Sequence, residues 1–378
     1  MLQRYSICIA MTVMLFFAAA VAYAGTCEEW PEWDGFRQKF LSDDGRVVDR
    51  SIPQMVTTSE GQSYALLFAL IAHDRASFDR ILHWTENNLA SGDLTAQLPA
   101  WQWGQRADGN WNVIDGNTAS DADLWLAYTL GEAGRLWNDP RYAALAELLA
   151  DRIIREETAE LPGLGLALLP GKQGFHADDN TWRLNPSYFP MQVLHRFAVL
   201  YPQSRWSELE RSSLEIIMRS APTGFVPEWV DYQSGKGFIT DHVANASGVG
   251  FNAIRVYLWA GMLDARDKVR APLLKQLAPM AKFASGDGAL MHEVRTADGV
   301  QKEPASAGFS SALLPFLKSL KMNRALHLQQ QRVVALAPMD RTDNYYDQVL
   351  TLFGKGWLDG YYRFERDGRL IPRWKCAR

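Results

Sequence analysis

Residues 57–64, Thr-Thr-Ser-Glu-Gly-Gln-Ser-Tyr, run directly into the apolar residues 65–72. Ser59 followed three residues later by Gln62 is the pattern of a capping box, which predicts that a helix begins at this serine. Because residues 65–72 are apolar on every side of the helix rather than along one stripe, we expect other helices to enclose it. Glu60 would then lie in the first turn, at the rim of a buried helix.

Glu60 has a structural and a catalytic interpretation. An acidic residue in the first helical turn interacts favourably with the helix dipole and is common there for that reason alone. The same position favours the ionised carboxylate, whereas a general acid must hold its proton near neutral pH. The catalytic interpretation therefore requires burial of Glu60 or a second acidic side chain nearby.

The first 24 residues have the features of a cleaved export signal. Arg4 is their only charged residue, an apolar run extends from Ile7 to about Val21, and residues 22–24 form the small-x-small pattern Ala-Tyr-Ala. The apolar run is too short to span a membrane and leads into an acidic segment. We therefore predict an exported protein without a membrane span after signal removal, with the periplasm as its expected compartment.

The mature chain, residues 25–378, is predicted to be one domain. The full chain is 47% hydrophobic with a net charge of -4, and neither a linker nor a basic patch interrupts it, which argues against nucleic-acid binding. We expect a monomer. Cys27 and Cys376, near the two ends of the mature chain, could form a disulfide in an oxidising compartment or remain free thiols.

Caps and hydrophobic periodicity predict twelve helices and almost no strand. Their approximate bounds are 29–41, 59–73, 75–89, 118–137, 140–156, 185–200, 204–220, 247–263, 266–285, 306–320, 322–336 and 342–358. The even-numbered helices are more continuously apolar, whereas the odd-numbered helices are amphipathic. The turns that leave even-numbered helices are short, but loops of roughly 20 to 28 residues enter most of them.

This alternation predicts an all-α toroid of six helical hairpins. The buried helices would run in the same direction, with their N-termini at one mouth. An elongated helical-repeat solenoid is the structural alternative.

If the toroid forms, the first turns of the even-numbered helices should carry the chemistry. Each contains polar or aromatic residues within an otherwise apolar helix. They are Asp121 and Asp123 at the fourth, Asn185 and Tyr188 at the sixth, Asn252 and Arg255 at the eighth, Phe309 at the tenth, and Tyr345 and Tyr346 at the twelfth. Taken singly, each could be a cap or a core residue, but their recurrence at one mouth favours a functional site.

The long loops add aromatic residues around the same mouth: Trp101, Trp103, Trp111, Trp182 and Trp229. Core packing could account for some of them, but a row of aromatic rings suits an extended carbohydrate chain. The seven histidines show no metal-ligand spacing, and the sequence contains neither a nucleophile elbow nor a phosphate-binding glycine loop. We predict no metal or cofactor. Acids and aromatic rings are typical of glycoside hydrolysis by paired carboxylates.

Several of these segments resemble the glycoside hydrolases of family 8. The resemblance extends over essentially the whole mature chain, through residues 57–64, 98–101, 119–123, 185–188, 253–257 and 350–354. It implies an (α/α)6 barrel and the hydrolysis of β-1,4-glucan or related polymers with inversion. Within the family, the chain resembles the periplasmic endoglucanases encoded with bacterial cellulose synthase, which implies a role in cellulose biosynthesis and transient contact with the synthase machinery.

The resemblance also implies roles for individual residues. Glu60 matches the general acid, and Asp121 matches the acidic residue that holds the sugar at the cleavage point. Tyr188 and Arg255 match residues that line the same subsite. We further predict contact with the glucan for Trp101, Trp103, Trp182 and Asp123.

Asn252 departs from the family pattern, in which an aspartate three residues before the arginine is the general base. An amide cannot accept a proton at neutral pH, so Asn252 could orient a water molecule but not deprotonate it. The base could instead lie on a loop, at Glu228, Asp231, Asp241, Asp287 or Glu293. Asp121 could also be the second carboxylate. An inverting site needs carboxyl groups roughly 6.5 to 9.5 Å apart.

Two functional alternatives remain open at this point. The protein could bind glucan and cleave it poorly or not at all, as an accessory protein of cellulose export. The same fold could also act on chitosan or xylan.

Overall fold

The computed structural model describes residues 29–178, 180–239, 248–285, 291–295, 301–304, 306–336 and 345–374, with the backbone alone described for 248–249, 291–295 and 301–304. The predicted signal at 1–24, Cys27, Cys376, Asp241 and Asp287 lie outside the described residues. Within the described part, no helix is both long enough and apolar enough to cross a membrane.

Twelve α-helices occur in the described part of the chain, as predicted. Their bounds are α1 Pro31–Phe40, α2 Ser59–Ile71, α3 Arg75–Leu89, α4 Ser120–Trp137, α5 Pro140–Glu156, α6 Met191–Leu200, α7 Trp206–Ser220, α8 Ile254–Met262, α9 Arg270–Phe283, α10 Ala307–Ser319, α11 Asn323–Leu336 and α12 Tyr345–Leu358.

The even-numbered helices form the inner ring of an (α/α)6 barrel. Each packs against the next along the series from α2 to α12. The ring closes where Phe353 of α12 lies against Tyr64 and Phe68 of α2, with ring centroids 5.0 and 4.7 Å apart. This closure excludes the solenoid alternative.

Burial separates the inner helices from the outer ones. In α2, every residue from Gly61 to Ile71 is buried, because neighbouring helices enclose it on all sides. In the outer helix α5, the buried residues are confined to one stripe at intervals of three or four residues: Tyr142, Ala146, Leu149, Ala150 and Ile153.

The prediction of almost no strand was wrong. Among the residues that the structure describes, five small antiparallel sheets occur, four in the loops between helices and one after α12. Their strands are β1 Thr57–Thr58, β2 Gln102–Gln105, β3 Trp111–Asp115, β4 Thr158–Leu161, β5 Gly165–Leu168, β6 His176–Asp178, β7 Thr181–Leu184, β8 Val230–Gln233, β9 Gly237–Ile239, β10 Gly248–Val249, β11 Met291–Arg295, β12 Gln301–Pro304, β13 Tyr362–Phe364 and β14 Leu370–Pro372. Strands of two to five residues are too short to show the alternation that periodicity detects. The Asp-Gly pairs at 108–109 and 367–368 are hairpin signals that periodicity alone overlooks.

The cap of α2 lies one residue earlier than predicted. Thr58 is extended because it pairs with Gln102 in the first sheet, and its side chain accepts a hydrogen bond from the Gly61 backbone N–H at 3.0 Å. Gln62 takes no part in a capping box. Its amide oxygen accepts the Val47 backbone N–H at 2.6 Å and so fixes the segment before the helix.

Two inner helices also begin later than predicted. Pro186–Tyr188 form a short 3-10 turn, and α6 begins only after Pro190, which cannot donate the hydrogen bond that would continue a helix. Asn252 lies in the turn before α8 rather than inside the helix.

The β13–β14 hairpin packs across the end of the barrel where the inner helices finish. Tyr128 Oη of α4 donates to the Gly368 carbonyl at 2.7 Å, and Tyr362 Oη donates to the Phe353 carbonyl at 2.9 Å. Beyond the hairpin, Trp374 Nε1 donates to the Ile71 carbonyl at the end of α2, at 3.0 Å. The first turns of the inner helices lie at the opposite end.

Candidate active site

Arg255, in the first turn of α8, lies at the centre of a polar cluster at this opposite end. Its side chain is only 1% exposed. Its guanidinium contacts five side chains from four parts of the chain: Glu60, Tyr64, Asp121, Ser187 and Asn252. The guanidinium is planar and permanently charged, so it can hold several acceptors in fixed directions.

Two carboxylates share one nitrogen of this guanidinium. Nη1 contacts Glu60 Oε1 and, at 2.8 Å, Asp121 Oδ2. These two oxygens therefore lie within two hydrogen-bond lengths of each other, roughly 6 Å. The Glu60 side chain is 25% exposed, whereas that of Asp121 is 3% exposed.

The carboxyl group of Asp121 has a pKa near neutral pH. Burial, followed by the neighbouring Glu60 carboxylate, raises the pKa of Asp121 to about 7, although Arg255 opposes the shift. The second acid that the catalytic interpretation of Glu60 requires is therefore present.

Three tyrosines complete the cluster. Tyr346 Oη donates to Glu60 Oε1 at 3.2 Å, and Arg255 Nη1 donates to Tyr64 Oη at 2.8 Å. Burial raises the pKa of both tyrosines well above the usual value, so they remain neutral hydroxyl groups. The guanidinium lies 5.5 Å from the ring centroid of Tyr188. The sequence analysis placed Tyr346 at the mouth of the barrel, in the first turn of an inner helix, but gave it no role in the site.

A cleft of about 410 Å³ opens onto this cluster. Its lining includes Glu60, Trp101, Asp115, Asp121, Phe175, Tyr188, Trp229 and Asn252. A larger depression, of about 920 Å³, lies beside the short turn between α6 and α7. Its charged residues Glu147, Asp151 and Arg205 are solvent exposed and do not form a buried polar cluster. The smaller cleft is therefore the candidate active site.

The structure brings six of the predicted site residues to this cleft: Glu60, Trp101, Asp121, Tyr188, Asn252 and Arg255. The other three lie elsewhere. Trp103 stacks on Trp111 with centroids 5.5 Å apart, and Trp182 is buried and stacks on His176. Asp123 is 1% exposed and lies outside the cleft lining.

Asp123 forms a buried acid pair with Glu157 instead. Burial and the contact with Glu157 raise the pKa of Asp123 well above its usual value, and burial raises the pKa of Glu157 to about 8. Thr118 Oγ1 donates to Glu157 at 2.5 Å and is itself part of the cleft lining. The pair therefore supports the wall of the cleft from behind.

Asn252 contacts one of the loop acids considered as a base. Its Nδ2 donates to Glu228 Oε2 at 2.7 Å. Asp231 lies on β8, opposite Arg183 and Ile239 in the sheet. Glu293 lies on β11, where the backbone alone is described.

The arrangement suits acid catalysis on a sugar bound in the cleft. Glu60 is accessible from the cleft, while a buried acid, a fixed guanidinium and a neutral tyrosine surround its carboxyl group. Among the described residues, no group of three or more His, Cys, Asp or Glu side chains is arranged to hold a metal ion.

Comparison with known proteins gives consistent matches over the chain. A family model described as Glycosyl hydrolases family 8 matches residues 1–360. The "Endoglucanase" of Xanthomonas axonopodis pv. citri (strain 306) is 45% identical over 373 residues, covering 98% of this chain and 96% of the relative. The "Endoglucanase" of Escherichia coli (strain K12) is 43% identical over 369 residues, covering 97% of each chain.

A solved structure agrees with these sequence matches. The crystal structure of endo-1,4-D-glucanase from Vibrio fischeri ES114 superposes with a TM-score of 0.88 at 45% identity, and the match covers 92% of this chain and 99% of that chain. The present chain therefore belongs to glycosyl hydrolases family 8.

Proposed function

We propose that this protein is an endo-β-1,4-glucanase that hydrolyses its substrate with inversion, with Glu60 as the general acid. The observation that carries the proposal is the Glu60 carboxyl group, which is accessible from the cleft and held by Arg255 and Tyr346 beside the buried Asp121. Membership of the family and the endoglucanase names of relatives that are 43% to 45% identical support the same activity.

In this proposal, Glu60 protonates the glycosidic oxygen of the leaving sugar. Asp121 holds the reacting sugar from the floor of the cleft. Because Arg255 Nη1 donates to both carboxylates, their nearest oxygens lie roughly 6 Å or less apart, which leaves little room for an attacking water molecule between them. The spacing therefore favours a sugar-holding role for Asp121 over the activation of water.

Asn252 is proposed to orient the attacking water molecule. The oxygen of this water bonds to the anomeric carbon as the glycosidic C–O bond breaks, and its proton leaves to the solvent in the open cleft, which also returns a proton to Glu60. It lines the cleft, and its amide is held between Arg255 and Glu228. Trp101, Tyr188 and Trp229 line the same cleft and offer aromatic faces on which glucose rings stack.

We propose that residues 25–378 act as one exported catalytic domain in the periplasm. The export signal predicted at 1–24 supports this compartment. The resemblance to endoglucanases encoded with cellulose synthase supports a role in cellulose biosynthesis and transient contact with the synthase machinery.

Asn252 favours a second candidate function, a glucan-binding accessory protein with little cleavage. Such a protein would use the same cleft and aromatic residues. The two candidates differ in whether soluble glucan is cut at all.

The test is the release of reducing ends from carboxymethyl cellulose by the purified mature protein. We expect cleavage by the wild type and a loss of roughly 10³-fold in Glu60→Gln, because an amide N–H is not acidic enough to transfer a proton to the glycosidic oxygen. Glucan binding should be retained. Glu147→Gln, which removes a carboxylate from the larger depression, is the matched control and should cleave at the wild-type rate.

Glu60→Gln that cleaves as fast as the wild type would overturn the assignment of the acid. Wild-type protein that binds the glucan without cleaving it would support the accessory function instead.

A further inference from the structure

Glu228 lies outside the cleft lining, yet it makes four hydrogen bonds with the turn that begins α8. Its Oε1 accepts the backbone N–H groups of Gly250 at 2.7 Å and Ala253 at 2.9 Å. Its Oε2 accepts the side chain of Asn252 at 2.7 Å and the backbone N–H of the same residue at 3.3 Å. The N-cap residue of α8 makes no side-chain cap. A carboxylate from the preceding loop therefore satisfies the free N–H groups of this turn.

The contact with Glu228 fixes both ends of the Asn252 amide. Asn252 Oδ1 accepts Arg255 Nη2 at 2.8 Å, while Nδ2 donates to Glu228. Because a guanidinium only donates and a carboxylate only accepts, the amide has a single orientation that satisfies both neighbours. An aspartate at 252 would instead bring two carboxylates within about 2.7 Å of each other. Asn252 and Glu228 are thus a matched pair.

The hydrogen bonds of Glu228 argue against its acting as the base. Each of its oxygens already accepts two N–H groups, which occupy the positions that a water molecule would need. The cleft is lined by its neighbours Trp229 and Asn252 rather than by Glu228 itself. Its carboxylate is placed to hold the site rather than to take a proton from it.

We propose that Glu228 is a positioning residue of the active site. It anchors Asn252, and through Asn252 it fixes the guanidinium of Arg255 that contacts Glu60 and Asp121. This proposal rests on the proposed hydrolytic function and extends it to a residue on the loop between α7 and α8.

The first experiment measures kcat and KM on a soluble β-1,4-gluco-oligosaccharide. Glu228→Gln should lower kcat about 10- to 100-fold while KM changes less than about threefold, because the reacting groups are displaced but the stacking surfaces are kept. Glu208→Gln is the matched control. Glu208 lies outside the cleft, and its carboxylate likewise accepts a backbone N–H, that of Leu166, in a hydrogen bond of 3.2 Å. It should leave kcat unchanged. A wild-type kcat in Glu228→Gln would overturn the proposal.

A double-mutant cycle separates positioning through Asn252 from general support of the turn. In an Asn252→Ala background, Glu228→Gln should change kcat less than about twofold, because the connection is already cut. Effects of the two substitutions that simply multiply would overturn the proposal.

An exchange of the two side chains tests the matched pair and does not depend on the folding of Glu228→Gln alone. Asn252→Asp alone should lower kcat, because two carboxylates would face each other. In the combined variant, the amide of the glutamine at 228 can donate to the carboxylate of the aspartate at 252, so one donor again faces one acceptor. The combined variant should exceed each single variant at least about tenfold in kcat. A combined variant no faster than Asn252→Asp would count against the proposal.

The outcomes also distinguish failure of this proposal from failure of the proposed function. If Glu60→Gln is inactive and Glu228→Gln is fully active, the positioning role alone is lost. If the wild type does not cleave the oligosaccharide, the hydrolytic function itself is lost, and this proposal with it.

Discussion

The two ends of the barrel each contain a buried ionic cluster, and the clusters are built in opposite ways. At the cleft, Arg255 faces the carboxylates of Glu60 and Asp121. At the end covered by β13–β14, the buried acid Glu132 of α4 faces two arginines, of which Arg196 also lies 3.9 Å from Asp367. Glu132 Oε1 accepts Arg196 Nε at 2.8 Å, and its Oε2 accepts Arg135 Nε at 3.0 Å.

The difference lies in which charge is fully satisfied. Glu132 is 1% exposed, and it also accepts the Leu370 backbone N–H of the hairpin at 3.0 Å, so donors surround it. At the cleft, two acids share one arginine, and the pKa of Asp121 rises to about 7, first through burial and then through the charge of Glu60. At the end covered by β13–β14, here called the closed end, the acid has all its hydrogen bonds satisfied and the cluster stabilises the fold. At the cleft, the open end, the acids outnumber the arginine, and this excess of acid keeps a proton available.

The largest effect should come from breaking the cleft cluster with Arg255→Lys. An ammonium cannot reproduce the planar contacts of the guanidinium, so Glu60 and Asp121 would lose their common anchor. We expect kcat on soluble glucan to fall roughly 10³-fold. Arg135→Lys is the control at the closed end and should leave kcat within about twofold. A kcat for Arg255→Lys within tenfold of the wild-type value would contradict the central role of the guanidinium.

The next effect concerns stability at the closed end. Glu132→Gln removes the charge that pairs two arginines and should lower the free energy of unfolding by about 3 kcal/mol. The kcat of the folded protein should not change. Urea unfolding measures the first quantity and steady-state kinetics the second. For comparison, Glu60→Gln should change the unfolding free energy by less than about 1 kcal/mol. A loss of stability in Glu60→Gln with none in Glu132→Gln would contradict the stabilising role of the Glu132 cluster.

The smallest expected effect is a change of stability with pH that depends on Asp121. The pKa of Asp121 is raised from 3.8 to about 7 in the folded protein, so folding favours the protonated form. Stability from this group therefore falls as the pH rises from about 4 to about 7, and it is constant above that range. Asp121→Asn lacks the effect.

The measurement is urea unfolding of wild type and Asp121→Asn at pH 5 and pH 7. The stability of the wild type relative to the variant should fall by on the order of 2 kcal/mol between these values. The Asp123–Glu157 pair is present in both proteins, so its own pH dependence largely cancels in the difference. A difference that is the same at both pH values would show that Asp121 does not carry the excess of acid.

Much of the barrel and part of the site were predictable from the sequence. The twelve helices and the inner position of the even-numbered ones were predicted correctly, because caps and continuous apolar runs are properties of neighbouring residues. The first-turn positions of Glu60, Asp121 and Arg255 then followed from the geometry of a ring. The short strands were missed because two to five residues carry too little pattern.

The sequence by itself determined that a buried helix with an acid at its rim begins near Ser59, and that similar helices alternate with amphipathic ones. Only the tertiary structure decided which side chains meet there. Arg255 and Glu60 are 195 positions apart in the chain, and Glu228 reaches Asn252 from a loop with no pattern of its own. Local propensity acts over a few residues, whereas these contacts depend on how the six hairpins pack around the ring.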